Sequence, residues 1–316
     1  MTRWQANLCL LLAAAIWGST FAVQHVAMDS IGPMAFTAIR FYLGAVVVAP
    51  FAWREWNSIK NEAARGEREL LSGKDWFGFS LTGACLFAGA YIQQYGIIYT
   101  TVTNAGFLTA FYVLLVPVLG VLLFRRKVHW SVWPAGFACI GGTAILSGAY
   151  GAYISGTAFE LNIGDFWVLV SAFFWAMHVL LVGVYGQRVG KPALFAFVQF
   201  LTVGFIGLIF TVATEEVTMA QLTDSAWMLA YAGFISVGIG FTCQVLGQKY
   251  TGPADAAIII SMETVFAAMT GMAFLGERLS PIDFVGCALI LSAVFLVELT
   301  PMLTRGWRKR WMKPVD

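Results

Sequence analysis

Two ionisable side chains fall inside long apolar stretches, where a charge is costly to hold and is functional by default. Glu263 lies about ten residues into the stretch 254–274, about 15 Å deep at the rise of an α-helix. A carboxyl there is a contact for a substrate ammonium, a proton-coupling site, or a hydrogen-bond partner in helix packing. Arg40 lies about 10 Å from the nearer end of the stretch 33–52. A guanidinium cannot usefully lose its charge. It needs an acid, carbonyls or a ligand carboxylate. Glu263 and Asp255 are the candidate acids for a structural pair, and snorkelling to the outer interface is the other structural outcome.

Aromatic and amide side chains accompany these charges. Trp17 and Trp175 each fall about 15 Å along an apolar run, far from the headgroup level that tryptophans favour. Their indole N–H groups need partners away from water. The pair reads as the aromatic walls of a cavity or as plain helix packing. Trp17 shares a helical face with Thr20, Phe21 and Gln24, and Trp175 shares one with Ser171 and His178. His178 is a substrate contact or a neutral, hydrogen-bonded core histidine. Gln93 and Gln244, each about 25 Å along its run, read as polar gates at opposite ends or as end-of-helix polar residues. Gln248 lies one turn beyond Gln244 on the same stripe. Pro117 frees a carbonyl and is a hinge candidate.

Several chemistries are missing their residue types. The histidines His25, His129 and His178 form no H-E-x-x-H pair, and no G-x-S-x-G elbow or phosphate-binding lysine loop occurs. Cys9, Cys85, Cys139, Cys243 and Cys287 make no C-x-x-C pair and read as small core residues. No metal site and no cofactor is expected. Lys and Arg number 19 against 17 acids, so there is no basic body for nucleic acid.

The elements that position these residues follow from composition. The chain has 316 residues, 59% of them hydrophobic and only 11% charged. A soluble domain carries about 25% charged residues, so this surface faces lipid. Ten runs have the length of about 20 residues that a bilayer needs: 7–27, 33–52, 76–98, 104–124, 130–150, 164–184, 193–213, 227–247, 254–274 and 280–300. Their continuous apolarity predicts helices, not barrel strands. The fold class expected is an all-α polytopic membrane protein. Arg54, Lys60, Arg65, Arg68, Lys74, Arg125, Arg126, Lys127, Arg188, Lys191 and Lys249 fall on the side of the N-terminus with the basic tail 301–316, whereas Arg278 alone falls opposite. By the positive-inside rule both termini are cytoplasmic, in the cell (inner) membrane. The link 53–75 carries Trp53, Trp56, Ile59 and Ala63 at helical spacing, which predicts a short amphipathic helix lying on the cytoplasmic face.

The halves repeat at a nearly constant offset. Trp17 aligns with Trp175. Pro33, Phe36 and Arg40 align with Pro192, Phe195 and Gln199. Trp76, Gln93, Gly96 and Thr100 align with Trp227, Gln244, Gly247 and Thr251, and Tyr112 takes the place of Glu263. Arg40 against Gln199 breaks the symmetry, and specificity could arise there. Residues 1–150 form a first five-helix repeat and 151–300 a second. An odd number of helices inverts the second repeat, a signature of secondary transporters with a site at the midplane.

The motifs Ala15-Ile16-Trp17-Gly18-Ser19-Thr20-Phe21, Ile39-Arg40-Phe41, Gln93 to Gly96, Asn104 to Thr109, Ala254 to Ala257, Met262-Glu263 and Leu275 to Leu279 stand in order along nearly the whole chain. In that order they resemble the ten-helix EamA-type permeases of the drug/metabolite transporter superfamily. Thr264 stands where that family often has proline, and Arg125-Arg126-Lys127 replaces a Gly-Glu-Arg ending. The resemblance implies transport of small organic metabolites, often export of amino acids, through a cavity between helices one to four and six to nine. Protons are the candidate coupling ion and a homodimer the candidate assembly. A carrier of organic cations or nucleosides and an intramembrane lipid-modifying enzyme are the alternatives.

Overall fold

The computed structural model describes residues 1–67, 69–100, 102–125, 127–146, 149–156, 162–274 and 280–303. Arg68, Arg126, the motif Leu275 to Leu279 with Arg278, and the tail from Thr304 onward lie outside the described residues. The first half holds α1 (Arg3–Ala27), α2 (Pro33–Ala64), α3 (Gly73–Ile97), α4 (Val102–Thr109), α5 (Tyr112–Phe124), α6 (Val132–Leu146) and α7 (Ala149–Ser155). The second holds α8 (Ile163–Leu181), α9 (Gln187–Val189), α10 (Pro192–Thr214), α11 (Met219–Asp224), α12 (Ala226–Ala230), α13 (Thr242–Gln248), α14 (Pro253–Ile260), α15 (Glu263–Phe274) and α16 (Pro281–Leu303). Two π-helical stretches, Val182–Gly186 and Tyr231–Phe241, join α8 to α9 and α12 to α13.

All-helical membrane architecture is what the sequence predicts, and it is what the chain adopts. Among the described residues, seven helical stretches are long and apolar enough to cross a bilayer, and the bent pair α6 and α7 raises this to eight. The ten expected runs are therefore not all matched by length and hydropathy. α16 itself is 23 residues long, Pro281–Leu303. α3 is 25 residues long but carries Thr82, Gln93 and Gln94, all buried, where it packs against α8 and α10.

Serine, threonine and asparagine side chains start several helices. Thr2 with Gln5, Ser72 with Asp75, Asn162 with Asp165, and Thr218 with Gln221 each form a capping box, which satisfies backbone N–H groups that have no partner within the helix.

The link 53–75 corrects an expectation. Its first part is no separate surface helix: α2 runs on unbroken to Ala64. Ile59 is fully buried, Trp56 packs edge-on against Trp76 at 5.7 Å, and Glu62 pairs with Lys191 at 2.6 Å. The helical periodicity was there, but it faces protein, which holds the helix in line with α2.

Packing crosses the halves. α1 lies against α13, α15 and the stretch Tyr231–Phe241. α8 lies against α3, α4 and α5. α2 packs along α10, and α6 along α16. Two carboxylates fix the α2–α10 pair. Glu215, just past α10, accepts the Met34 and Ala35 N–H groups at the start of α2, each at 2.9 Å. Glu55, near the far end of α2, accepts the Leu194 N–H at the start of α10 at 2.8 Å. The two helices are thus antiparallel, each N-terminus held by an acid from the other's C-terminal part, where the helix dipole favours negative charge.

Candidate functional site

Two helices that face each other across the bundle are interrupted at equivalent places. α4 stops at Thr109 and α5 starts at Tyr112; α14 stops at Ile260 and α15 starts at Glu263. The hinge candidate Pro117 sits within continuous helix. The interruption falls upstream, ahead of the Val113 carbonyl that the proline ring crowds. The second break needs no proline. Ser261 Oγ donates to the Ile258 carbonyl at 2.6 Å and Thr264 Oγ1 to the Ser261 carbonyl at 2.9 Å, so hydroxyls take over carbonyl partners at the break. Thr264 thus serves where the resembling family uses proline.

A cavity opens beside the breaks. Its walls are Trp17, Phe21, Gln24, Arg40, Gln93, Thr109, Tyr112, Trp175, Val179, Ser236, Phe241, Gln244, Ile260 and Glu263, and about 60 Å³ of it is reachable by the centre of a water-sized sphere. One water needs about 10–15 Å³ on that measure, so there is room for several waters or a small polar head. Phe241 is the centre of its aromatic side. Trp17 lies 4.6 Å away, and Trp175 stacks on Phe241 at 6.0 Å and 12°.

The expected residues separate into two groups. Trp17, Gln24, Arg40, Gln93, Tyr112, Trp175, Gln244 and Glu263 come together in the wall. His178 and Gln199 lie behind it, fully buried or nearly so, with His178 Nε2 2.9 Å from Gln199 Oε1. His178 backs the edges of Trp175 and Phe241. Gln248 also lies outside the wall and donates to the Val179 carbonyl at 2.9 Å. Gln93 and Gln244 do not mark opposite ends; they share one cavity. Both side chains are buried and turned inward from their own helices, which brings them to the same space.

Arg40 departs from both structural expectations. It is 5% exposed, so it does not snorkel. Asp255 is taken by Arg3 at 3.1 Å, because Asp255 opens α14 at the end of the bundle. No ion pair joins Arg40 to Glu263 among the described residues. Arg40 instead donates to Gln24 Oε1 at 2.7 Å and lies over the Phe36 and Phe41 rings at 5.2 and 5.4 Å. Glu263, also 5% exposed, opens α15. Helix α1 comes so close there that a Cβ on Gly18 would stand 2.6 Å from the Glu263 carbonyl oxygen.

Wall residues not singled out as candidates from the sequence, although Phe21 was placed on the face of Trp17, lie one helical turn from residues that were. Phe21, Thr109, Phe241 and Ile260 each precede Gln24, Tyr112, Gln244 and Glu263 by three positions, and Val179 follows Trp175 by four. Ser236 lies in the π-helical stretch, which no apolar periodicity reports.

The EamA-like transporter family matches the chain over residues 4–148 and 162–299. The chain belongs to this family. An uncharacterized transporter of Archaeoglobus fulgidus is 32% identical over 297 residues, covering 94% of this chain and 87% of the relative. The uncharacterized inner membrane transporter YedA of Escherichia coli strain K12 is 24% identical over 293 residues, covering 90% and 87%. A crystal structure superposes with a TM-score of 0.71 at 18% identity, covering 93% of this chain and 96% of that one, and supports the fold alone. This EamA-like chain is a multi-pass membrane transporter of small molecules, and its cavity is the candidate place for them.

Proposed function

We propose that this chain exports amino acids or related small zwitterions across the inner membrane by alternating access. The observation that carries the reading is a single cavity holding an acid, Glu263, and a base, Arg40, that do not neutralise each other. An ammonium and a carboxylate on one ligand would complement both, and its apolar part would lie against Trp175 and Phe241.

Transport requires two arrangements of the walls. The proposed frame is two inverted five-helix repeats, ten helices in all, with both termini in the cytoplasm. Paired contacts support the repeat. Thr100 donates to Asp165 while its mate Thr251 donates to Asn7 at 2.8 Å. A Cβ on Gly96 would meet Val168 Cγ2 at 2.7 Å, and one on its mate Gly247 would meet Leu10 Cγ at 2.6 Å. The mates Pro33 and Pro192 open α2 and α10, which run antiparallel, as inversion requires.

The test is efflux of labelled amino acids from vesicles holding the purified protein. Saturable efflux that Glu263→Gln abolishes supports the proposal. Efflux of organic cations alone, with no zwitterion carried, overturns the substrate assignment.

A further inference from the structure

The wall contains three pairs of repeat mates in which both members carry polar groups: Trp17 with Trp175, Gln93 with Gln244, and Tyr112 with Glu263. In each pair the first-half member is hydrogen-bonded inside the protein. Trp17 Nε1 donates to the Ser236 carbonyl at 3.2 Å. Gln93 Nε2 donates to Thr109 Oγ1 at 2.8 Å. Tyr112 donates to the Ala257 carbonyl at 3.3 Å.

Each second-half mate lacks such a bond. Trp175 Nε1 and Gln244 Oε1 are buried without a partner among the described residues. One exchange removes the bond that its mate makes: Ile260 stands at the place of Thr109 and has no hydroxyl to accept from Gln244 Nε2. Glu263 makes no hydrogen bond or ion pair among the described residues. The fourth unsatisfied group in the wall is Arg40 Nε. Gln199, the repeat mate of Arg40, is bonded to His178 and to the Phe195 carbonyl and does not reach the wall. Gln94 and Gln248 also have an unpaired Oε1, but both lie outside the wall, and their positions in the other half are the apolar Val245 and Ile97.

A buried polar group without a partner costs stability, and natural proteins keep few of them. Three of them, Trp175 Nε1, Gln244 Oε1 and Arg40 Nε, gathered with the unbonded Glu263 carboxyl on one cavity, mark the groups held for a ligand. We infer that the site is divided by repeat: Trp175, Gln244 and Glu263, joined by Arg40, contact the transported molecule, whereas Trp17, Gln93 and Tyr112 hold the frame. The free set is two donors, Trp175 Nε1–H and Arg40 Nε–H, and two acceptors, Gln244 Oε1 and the Glu263 carboxyl. The ligand that satisfies all four carries an anionic acceptor and a cationic donor on one small body. This class rests on the proposed zwitterion transport; the division of labour does not.

The experiment compares like with like. Trp17→Phe, Gln93→Leu and Tyr112→Phe are set against Trp175→Phe, Gln244→Leu and Glu263→Gln in purified protein. Melting temperature is measured alone and with L-phenylalanine as the probe. The first three variants should melt several degrees lower without ligand and keep the wild-type shift with it. Tyr112→Phe should fall least, since its bond is the longest. The second three should melt at or above wild type without ligand and lose the shift. Equal losses in ligand-free melting for Trp17→Phe and Trp175→Phe, and for Gln93→Leu and Gln244→Leu, overturn the division. If one tryptophan variant does not fold, the glutamine pair decides alone. No shift of wild-type protein by L-phenylalanine counts against the zwitterion class, while the ligand-free melting still decides the division.

Discussion

Glu263 and Arg40 face one cavity and do not touch: the guanidinium is bound to Gln24 Oε1 at 2.7 Å, and the carboxyl is bound to nothing among the described residues. Removing the charge on Glu263 therefore strands no cation. A buried pair broken on one side costs about 3–5 kcal/mol, and that loss should not appear. Glu263→Gln should fold and melt within about 1 kcal/mol of wild type while its transport, or the pH dependence of that transport, disappears. Thermal melting beside vesicle efflux checks this. Poor folding rescued by Arg40→Gln would instead reveal a hidden pair.

The two carboxylate clamps on α2 and α10 should act independently, since they hold opposite ends of the pair. A hydrogen bond to a charged group contributes about 1.5–3 kcal/mol, less where water reaches it. Glu215→Ala and Glu55→Ala should each lose about 1–2 kcal/mol. The double variant should lose the sum, because distant sites add. Chemical denaturation of the three proteins measures it.

Gly18 sets the distance between α1 and α15. Alanine there places its Cβ 2.6 Å from the Glu263 carbonyl oxygen and 2.6 Å from Phe266 Cβ. A backbone oxygen cannot swing aside, so the helices must separate. Gly18→Ala should cost about 1–3 kcal/mol and impair transport by displacing Glu263. A melting temperature equal to wild type would show that α1 and α15 are packed more loosely.

Orientation is tested by fusion. The Lys and Arg bias places both termini in the cytoplasm. A reporter active only there should work after Asp316 and be silent when inserted beside Val217. Activity beside Val217 would reverse the proposed topology.

Much of the site was legible because membrane burial makes polar residues conspicuous. Glu263, Arg40, the two tryptophans and the repeat-related glutamines stand out against 59% hydrophobic composition. The partners of Arg40 were not legible, because nothing local says that Gln24 Oε1 reaches it while Asp255 is held by Arg3. Glu215 looked like an ordinary loop acid, and its capping of α2 depends on how α10 packs. The stretch Tyr231–Phe241 reads as plain apolar helix. Its π-helical form, which holds Ser236 of the wall, packs on α1 and α2. His178 and Gln199 share a face with wall residues, yet they bond to each other behind it.

The most direct test of the central claim is the Michaelis constant for export of L-phenylalanine and of phenethylamine, its analogue without the carboxylate, by wild type and Arg40→Gln in reconstituted vesicles. If Arg40 receives the carboxylate of a zwitterion, losing a charge-assisted hydrogen bond worth about 1.5–3 kcal/mol should raise the constant for L-phenylalanine at least tenfold and leave phenethylamine nearly unchanged. Equal changes for both compounds, or none for either, would contradict the account.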